Sequence, residues 1–122
     1  MFWKAAAVLT ALLLSGCSSQ TSDLRLARSL AAESETFVGF VSGGQATRHY
    51  AEEQTGYLED AIQQLLEEED VAGDARANLV MLMGELSRVR GLIAGGNKSA
   101  LAGVQSRIGK IRENLEKASP QS

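Results

Sequence analysis

Apolar residues recur along this chain at alternating steps of three and four, the spacing that places side chains on one face of an α-helix. The pattern is most regular in the last two apolar segments, where no step breaks it. The apolar positions of these segments are Leu79, Leu82, Leu86, Val89 and Ile93, then Leu101, Val104, Ile108, Ile111, Leu115 and Ala118. Such continuous a/d seams predict two helices that pack lengthwise against neighbouring helices.

Two earlier segments show the same period with more irregularity. The second segment has a seam that further apolar residues widen. The seam comprises Ala51, Gln54, Leu58, Ala61 and Leu65, and the widening residues are Tyr50, Tyr57, Ile62 and Leu66. The first segment is interrupted by the polar pair Glu33 and Ser34. Its apolar residues are Leu26, Leu30, Phe37 and Phe40 beside Ala27, Ala31, Val38 and Val41.

Glycine-containing breaks at 42–44, 70–74 and 95–97 separate the four segments. Connections this short make each helix turn back along the preceding one. We therefore predict an all-α fold, a small antiparallel up-down-up-down four-helix bundle of two helical hairpins. The predicted helices span 22–42, 45–69, 74–94 and 98–118, and a two-hairpin fragment of a solenoid is the alternative. We expect the glycines to stop the helices and Ser22 or Asp23, Asp74 and Asn97 to cap their N-termini.

The first seventeen residues have the organisation of a secretion signal. Lys4 precedes an apolar run, Ala5–Leu14, in which Thr10 is the only polar residue. This run is too short to span a bilayer, for which a helix needs about 20 apolar residues. It is typical of the core of a signal peptide, and it ends in Leu14-Ser15-Gly16-Cys17.

These last four residues resemble the lipobox of bacterial lipoproteins, and the resemblance covers the signal alone. It implies that the peptide is cut before Cys17, that the Cys17 thiol receives a diacylglycerol group, and that the new amino group is acylated, as with palmitate. Two or three acyl chains give stable attachment, because each buried methylene adds roughly 0.8 kcal/mol. The next residue is Ser18, not the Asp that resembles an inner-membrane retention signal, so we expect a lipid-anchored protein on the periplasmic face of the outer membrane.

The signal and the helical segments divide the chain into four predicted parts. These are a signal peptide over 1–16, a lipidated cysteine with a tether over 17–22, a helical bundle over 23–118, and a flexible tail over 119–122. A tether of about five residues spans at most about 18 Å. We therefore expect the bundle to lie close to the membrane surface.

Composition excludes several classes of protein. The chain has 122 residues, too few for a Rossmann or barrel enzyme, and its single Cys and single His cannot form an internal disulfide or the usual zinc site. His49 lies near Glu52 and Glu53, but the sequence shows no nucleophile that it could activate. Adjacent carboxylates on a helix point about 100° apart, so they cannot flank one bond of a substrate. The tyrosines and phenylalanines of the mature chain occupy positions that we expect in the core. We expect no enzyme activity, no metal, no cofactor besides the lipid on Cys17, and no nucleic-acid partner.

Charge is divided between the two halves of the chain. Residues 17–74 carry twelve acidic and three basic side chains, whereas 75–122 carry three acidic and eight basic ones. We therefore expect the acidic second helix to contact the basic third and fourth helices.

An acidic run, Glu67-Glu68-Glu69-Asp70, ends the predicted second helix, where it opposes the helix macrodipole. Lys110, Arg112 and Lys117 would fall at the same end of the bundle and compensate it. The run has three interpretations: a solvated acidic face, a docking patch for a basic partner, or a calcium site, although the alternating spacing of a calcium loop is absent.

The third helix carries small residues where an exposed helix usually has charged ones. Ala77, Gly84 and Gly91 recur every seven residues, farthest from the predicted seam, and glycine there costs about 1 kcal/mol relative to alanine. Val80, Met81 and Arg88 lie beside them. The stripe either accommodates a neighbouring helix of the same chain or binds a partner on the outside of the bundle.

These features predict a non-enzymatic, membrane-anchored periplasmic lipoprotein whose bundle binds another envelope protein as an assembly, targeting or stabilising subunit. In general plan it is similar to the small helical pilotin lipoproteins. The alternatives are a structural lipoprotein that self-associates through the third and fourth helices, and an exclusion or inhibitor lipoprotein.

Overall fold

A computed structural model describes residues 19–68, 71 and 73–118, and within them it confirms the four-helix architecture. The helices are α1 (Ser19–Ser42), α2 (Arg48–Leu66), α3 (Gly73–Ala94) and α4 (Leu101–Lys117), with one 3₁₀ turn (Lys98–Ala100) before α4. Strands are absent from these residues. The helices run antiparallel in sequence order, so the start of α1 and the ends of α2 and α4 share one end of the bundle, the base.

The helix ends follow the predicted breaks, except that α2 ends at Leu66 rather than at residue 69 and that the helices begin one to three residues from the predicted starts. α2 begins at residue 48 rather than 45 because Thr47 is its N-cap and accepts the backbone N–H of Tyr50 at 3.1 Å. α1 begins at Ser19 and α3 at Gly73, so Ser22, Asp23 and Asp74 lie inside helices and the predicted caps are wrong.

Two glycines stop helices as predicted. Gly44 at φ +76° and Gly96 at φ +71° occupy the left-handed region that closes α1 and α3. The N–H groups that follow bond back in the Schellman pattern, Gln45 to the Phe40 carbonyl at 3.3 Å and Asn97 to the Leu92 carbonyl at 2.9 Å. Asn97 flanks the 3₁₀ turn but forms no side-chain capping hydrogen bond.

The core confirms the two regular seams. Every seam residue of α3 and α4 is buried except Ala118, which is half-buried. In α2 the seam is shifted: Ala51, Leu58 and Leu65 are buried together with Thr55 and Ile62, while Gln54 and Ala61 are half-buried.

The aromatic side chains depart from the prediction. Phe37 is buried, but Phe40, Tyr50 and Tyr57 are 41%, 46% and 49% exposed. Leu26, another predicted core residue of α1, is 46% exposed.

A glycine on each side of the α1–α4 contact lies under the end of a side chain from the facing helix. A Cβ on Gly109 would lie 2.7 Å from Oε2 of Glu35, and a Cβ on Gly39 would lie 2.6 Å from Nε2 of Gln105. α2 packs mainly on α3, and its contact with α1 is much less extensive than that of α4 with α1. The bundle is therefore closed along α1–α4 and more open along α1–α2.

Candidate functional site

The outer face of α3, comprising Ala77, Val80, Met81, Gly84, Arg88 and Gly91, lies on the surface of the bundle. All six residues are exposed, Val80 at 55% and Met81 at 48%. A Cβ built on Gly84 or Gly91 would meet no atom within 4 Å outside its own helix backbone. No other helix among the described residues therefore covers this stripe.

The outer face of α3 opposes the side of the helix that forms the core. Leu82, Leu86 and Val89 are fully buried on the other side. Arg88 is held near Glu85 by an ion pair of 3.8 Å, so its guanidinium lies at one edge of the face. The face thus combines apolar side chains, exposed helix backbone at two glycines and one cation, a composition suited to contact with a protein surface.

The acidic run at the end of α2 is only partly described. Glu67 and Glu68 are exposed, and Glu69 and Asp70 lie outside the described residues. Neither described glutamate forms an ion pair within the part of the chain that the structure describes. The predicted compensation by Arg112 is wrong, because that guanidinium donates to Glu35 of α1 and Glu116 of α4 at 2.5 Å and 2.9 Å.

Arg76 stabilises the end of α2 instead. Its guanidinium donates to the carbonyl oxygens of Leu66, Val71 and Glu68 at 2.6, 2.8 and 3.1 Å. A cation at this position satisfies terminal carbonyls and opposes the negative end of the helix dipole.

Arginine side chains also cap the C-terminal ends of two other helices. Arg28 of α1 donates to the carbonyls of Leu115 and Ala118 at the end of α4, each at 2.8 Å. Arg48 of α2 donates to the carbonyl of Ala94 at the end of α3, at 3.0 Å. Three arginines thus serve as C-terminal caps, a role that sequence periodicity did not reveal.

Ion pairs between helices follow the division of charge in part. Arg90 of α3 donates to Glu59 of α2, as expected, and this hydrogen bond raises the pKa of Arg90. In α4, Arg107 pairs with Glu85 of α3 at 3.0 Å, and the hydrogen bond from Arg112 to Glu35 raises the pKa of Arg112. The prediction that α4 contacts acidic α2 is therefore wrong, since α4 pairs with α1 and α3.

The residues considered for catalysis occupy ordinary surface positions. The imidazole of His49 is exposed and lies 2.9 Å from Glu53, while Glu52 lies 3.5 Å from Arg48. Buried hydroxyls bond within their own helices, Ser34 to the Leu30 carbonyl and Thr55 to the Ala51 carbonyl, both at 2.7 Å. Within the described residues no three His, Cys, Asp or Glu side chains are grouped to hold a metal ion.

A surface groove between α1 and α2 was missed by the sequence analysis. It encloses about 630 Å³, and its walls include Ser29, Glu33, Phe37 and Phe40 of α1 and Tyr50 and Gln54 of α2. The ring of Tyr50 packs edge-on against both phenylalanines, with centroid distances of 6.3 Å to Phe37 and 6.2 Å to Phe40. The heptad spacing of Glu33 with Phe40 and of Tyr50 with Tyr57 was the available signal, but the aromatic character of Phe40, Tyr50 and Tyr57 suggested core positions.

Cys17, the predicted lipidation site, lies outside the described residues. None of the described helices combines the length and apolar character needed to cross a bilayer. Comparison of the chain with known protein families, curated proteins and solved structures finds no match.

Proposed function

We propose that this chain is a non-enzymatic lipoprotein of the bacterial envelope, anchored through Cys17, whose helical bundle binds another envelope protein. In this role it would assemble, target or stabilise its partner, in general plan like the pilotin lipoproteins. The observation that carries the proposal is the outer face of α3, where Val80 and Met81 are exposed beside two uncovered glycines.

Gly84 and Gly91 lower the stability of the bundle and are open to a partner. Each glycine in a helix interior costs about 1 kcal/mol relative to alanine, and alanine would fit here without a contact closer than 4 Å. The bundle alone therefore gains nothing from these glycines. A partner helix that approaches the α3 backbone closely would gain from them, because a Cβ would hold it farther away.

The anchor is supported by the lipobox Leu14-Ser15-Gly16-Cys17 at the end of the apolar run. With acyl chains on Cys17, the base of the bundle would face the membrane. The outer face of α3 would then run away from the lipid along the side of the bundle, from Ala77 near the base to Gly91 near the far end. A partner could reach it beside the membrane surface.

Self-association through the heptads of α3 and α4 has less support. Those seams, including Leu82 and Ile108, are filled within a single chain. A homo-oligomer would have to use another surface, and the outer face of α3 is one such surface. An exclusion or inhibitor protein would act through the same kind of binding.

Lipid attachment is tested by metabolic labelling with an alkyne fatty acid and by membrane fractionation of the full chain and its Cys17→Ser variant. We expect label and outer-membrane association for the natural chain and the loss of both in the variant. An unlabelled natural chain would contradict the anchor.

Partner binding is tested by co-purification with tagged full chain. Gly84→Arg places a bulky cation on the outer face of α3 and is expected to abolish recovery of the partner. Gly103→Arg is the matched control, since Gly103 is exposed on α4 and a Cβ there makes only an ordinary contact of 3.6 Å with Arg107. Equal recovery with both variants would contradict the proposed site.

A further inference from the structure

The groove between α1 and α2 is a second apolar surface, distinct from the outer face of α3. Phe40 is 41% and Tyr50 46% exposed at its walls. Leu26 lies seven residues before Glu33, and Tyr57 lies seven after Tyr50, so both continue the helix faces that line the groove. Four of the six large hydrophobic residues exposed in the described chain therefore lie on these two helix faces, with Phe40 and Tyr50 in the groove itself.

The groove is long enough to receive a helix. From Ser29 to Phe40, its lining residues on α1 span about 17 Å at about 1.5 Å per residue. An apolar channel between two antiparallel helices receives a third helix through anchors at steps of three and four residues, as in other helix-in-groove complexes. Partly exposed aromatic rings such as those of Phe40 and Tyr50 are typical anchors of such interfaces.

Acidic residues beside the channel would favour basic residues on a helix that binds there. Glu33 lies in the wall and forms no ion pair with any described residue. On α2, Glu53 lies on the helix face next to Tyr57, and its described ion-pair partner is the exposed His49.

Neighbouring arginines do not neutralise the channel. α1 and α2 together carry seven acidic and three basic residues. Arg28 and Arg48 are directed to the ends of α4 and α3, which leaves Arg25, on the base side of the channel. A net negative potential favours a cationic partner.

We propose that the α1–α2 groove binds an amphipathic helix of a partner protein, whose apolar face covers Phe40 and Tyr50 and whose flanks carry lysine or arginine beside Glu33 and Glu53. This inference rests on the proposed function, because it names the chemistry of a partner that meets the bundle in the envelope.

The test uses the chain 18–122, which contains the entire described core, and a defined probe. The probe is a fluorescent, amidated 18-residue Leu/Lys amphipathic helix, compared with a Leu/Glu helix of the same apolar pattern. Binding is measured by fluorescence anisotropy, and its location by backbone amide shifts. We expect the Leu/Lys helix to bind, the Leu/Glu helix to bind at least tenfold more weakly, and the shifts to follow Leu26 to Gln54.

Matched variants separate the groove from general attraction to an acidic protein. Glu33→Lys is expected to weaken the Leu/Lys helix at least tenfold, and Glu68→Lys, an equal charge change at an exposed site near the base, to have no more than a twofold effect. Phe40→Ala is expected to weaken it at least tenfold and Met81→Ala, on α3, not to weaken it. Circular dichroism confirms that each variant is folded.

Equal binding of both probes, equal effects of Glu33→Lys and Glu68→Lys, or shifts confined to α3 would overturn the inference. So would a dimer of 18–122 whose interface covers the groove, since the occupant would then be a second copy. The assay contains neither lipid nor envelope, so its failure leaves Cys17 labelling and partner recovery through Gly84 unaffected and identifies the groove alone as wrong.

Discussion

Arg28, near the start of α1, donates from Nε to the carbonyl oxygen of Leu115 near the end of α4, at 2.8 Å across 87 residues of sequence. Its Nη2 donates to the carbonyl oxygen of Ala118. One side chain thus ties the first helix of the bundle to the last turn of the fourth, at the base.

Removing this guanidinium should loosen the base. We expect Arg28→Ala to lower the free energy of unfolding by about 1–2 kcal/mol, since hydrogen bonds from a charged donor are lost while terminal carbonyls become unpaired. Arg25→Ala, at an exposed position on the same helix, should change it by less than about 0.5 kcal/mol. Urea unfolding of both variants measures the difference, and equal effects would refute the capping role.

A glycine at an open helix surface and a glycine under a facing side chain should respond differently to replacement by alanine. Gly84→Ala is expected to raise the free energy of unfolding by about 0.5–1 kcal/mol, because the site is open and alanine favours the helix. Gly109→Ala should bring no gain or a loss, because its Cβ would displace the Glu35 carboxylate from 2.7 Å and disturb the pair with Arg112.

Thermal and urea unfolding of these two variants measure the change in the free energy of unfolding, which reports whether the α1–α4 contact has room for a Cβ. A gain for Gly109→Ala as large as that for Gly84→Ala would contradict the close approach.

Neighbouring residues of α3 provide a test of which side faces outward. Leu82 is fully buried and Met81 is 48% exposed. Leu82→Ala should cost about 2–5 kcal/mol through lost burial and the cavity it leaves, whereas Met81→Ala should change stability by less than about 0.5 kcal/mol. If the two substitutions cost the same in urea unfolding, the helix would be rotated from the orientation described.

The sequence predicts the bundle well where burial alone decides position. In α3 and α4 the seam is unbroken, so Leu82 and Ile108 could be assigned to the core from periodicity. Phe40 and Tyr50 could not be placed this way, because their exposure depends on how far α2 stands from α1. That distance is a tertiary property, set by contacts between residues that are far apart in the sequence.

The arginine caps lie beyond local pattern for a similar reason. Arg28 and Leu115 are far apart in sequence, and nothing near Arg28 distinguishes it from a solvated residue. The outer face of α3 was visible in the sequence as a stripe of Ala77, Gly84 and Gly91. Whether another described helix packs on this stripe can be seen only in the folded bundle.

In-cell photo-cross-linking from Gly84 and Gly91, with mass spectrometry of the adducts, tests the central claim most directly. A photoreactive residue at Gly103, exposed on α4, is the control. The account predicts that the same envelope protein is captured from both α3 positions and not from residue 103. Absence of any adduct at Gly84 and Gly91, or an identical set of adducts at residue 103, would contradict a docking role for the outer face of α3.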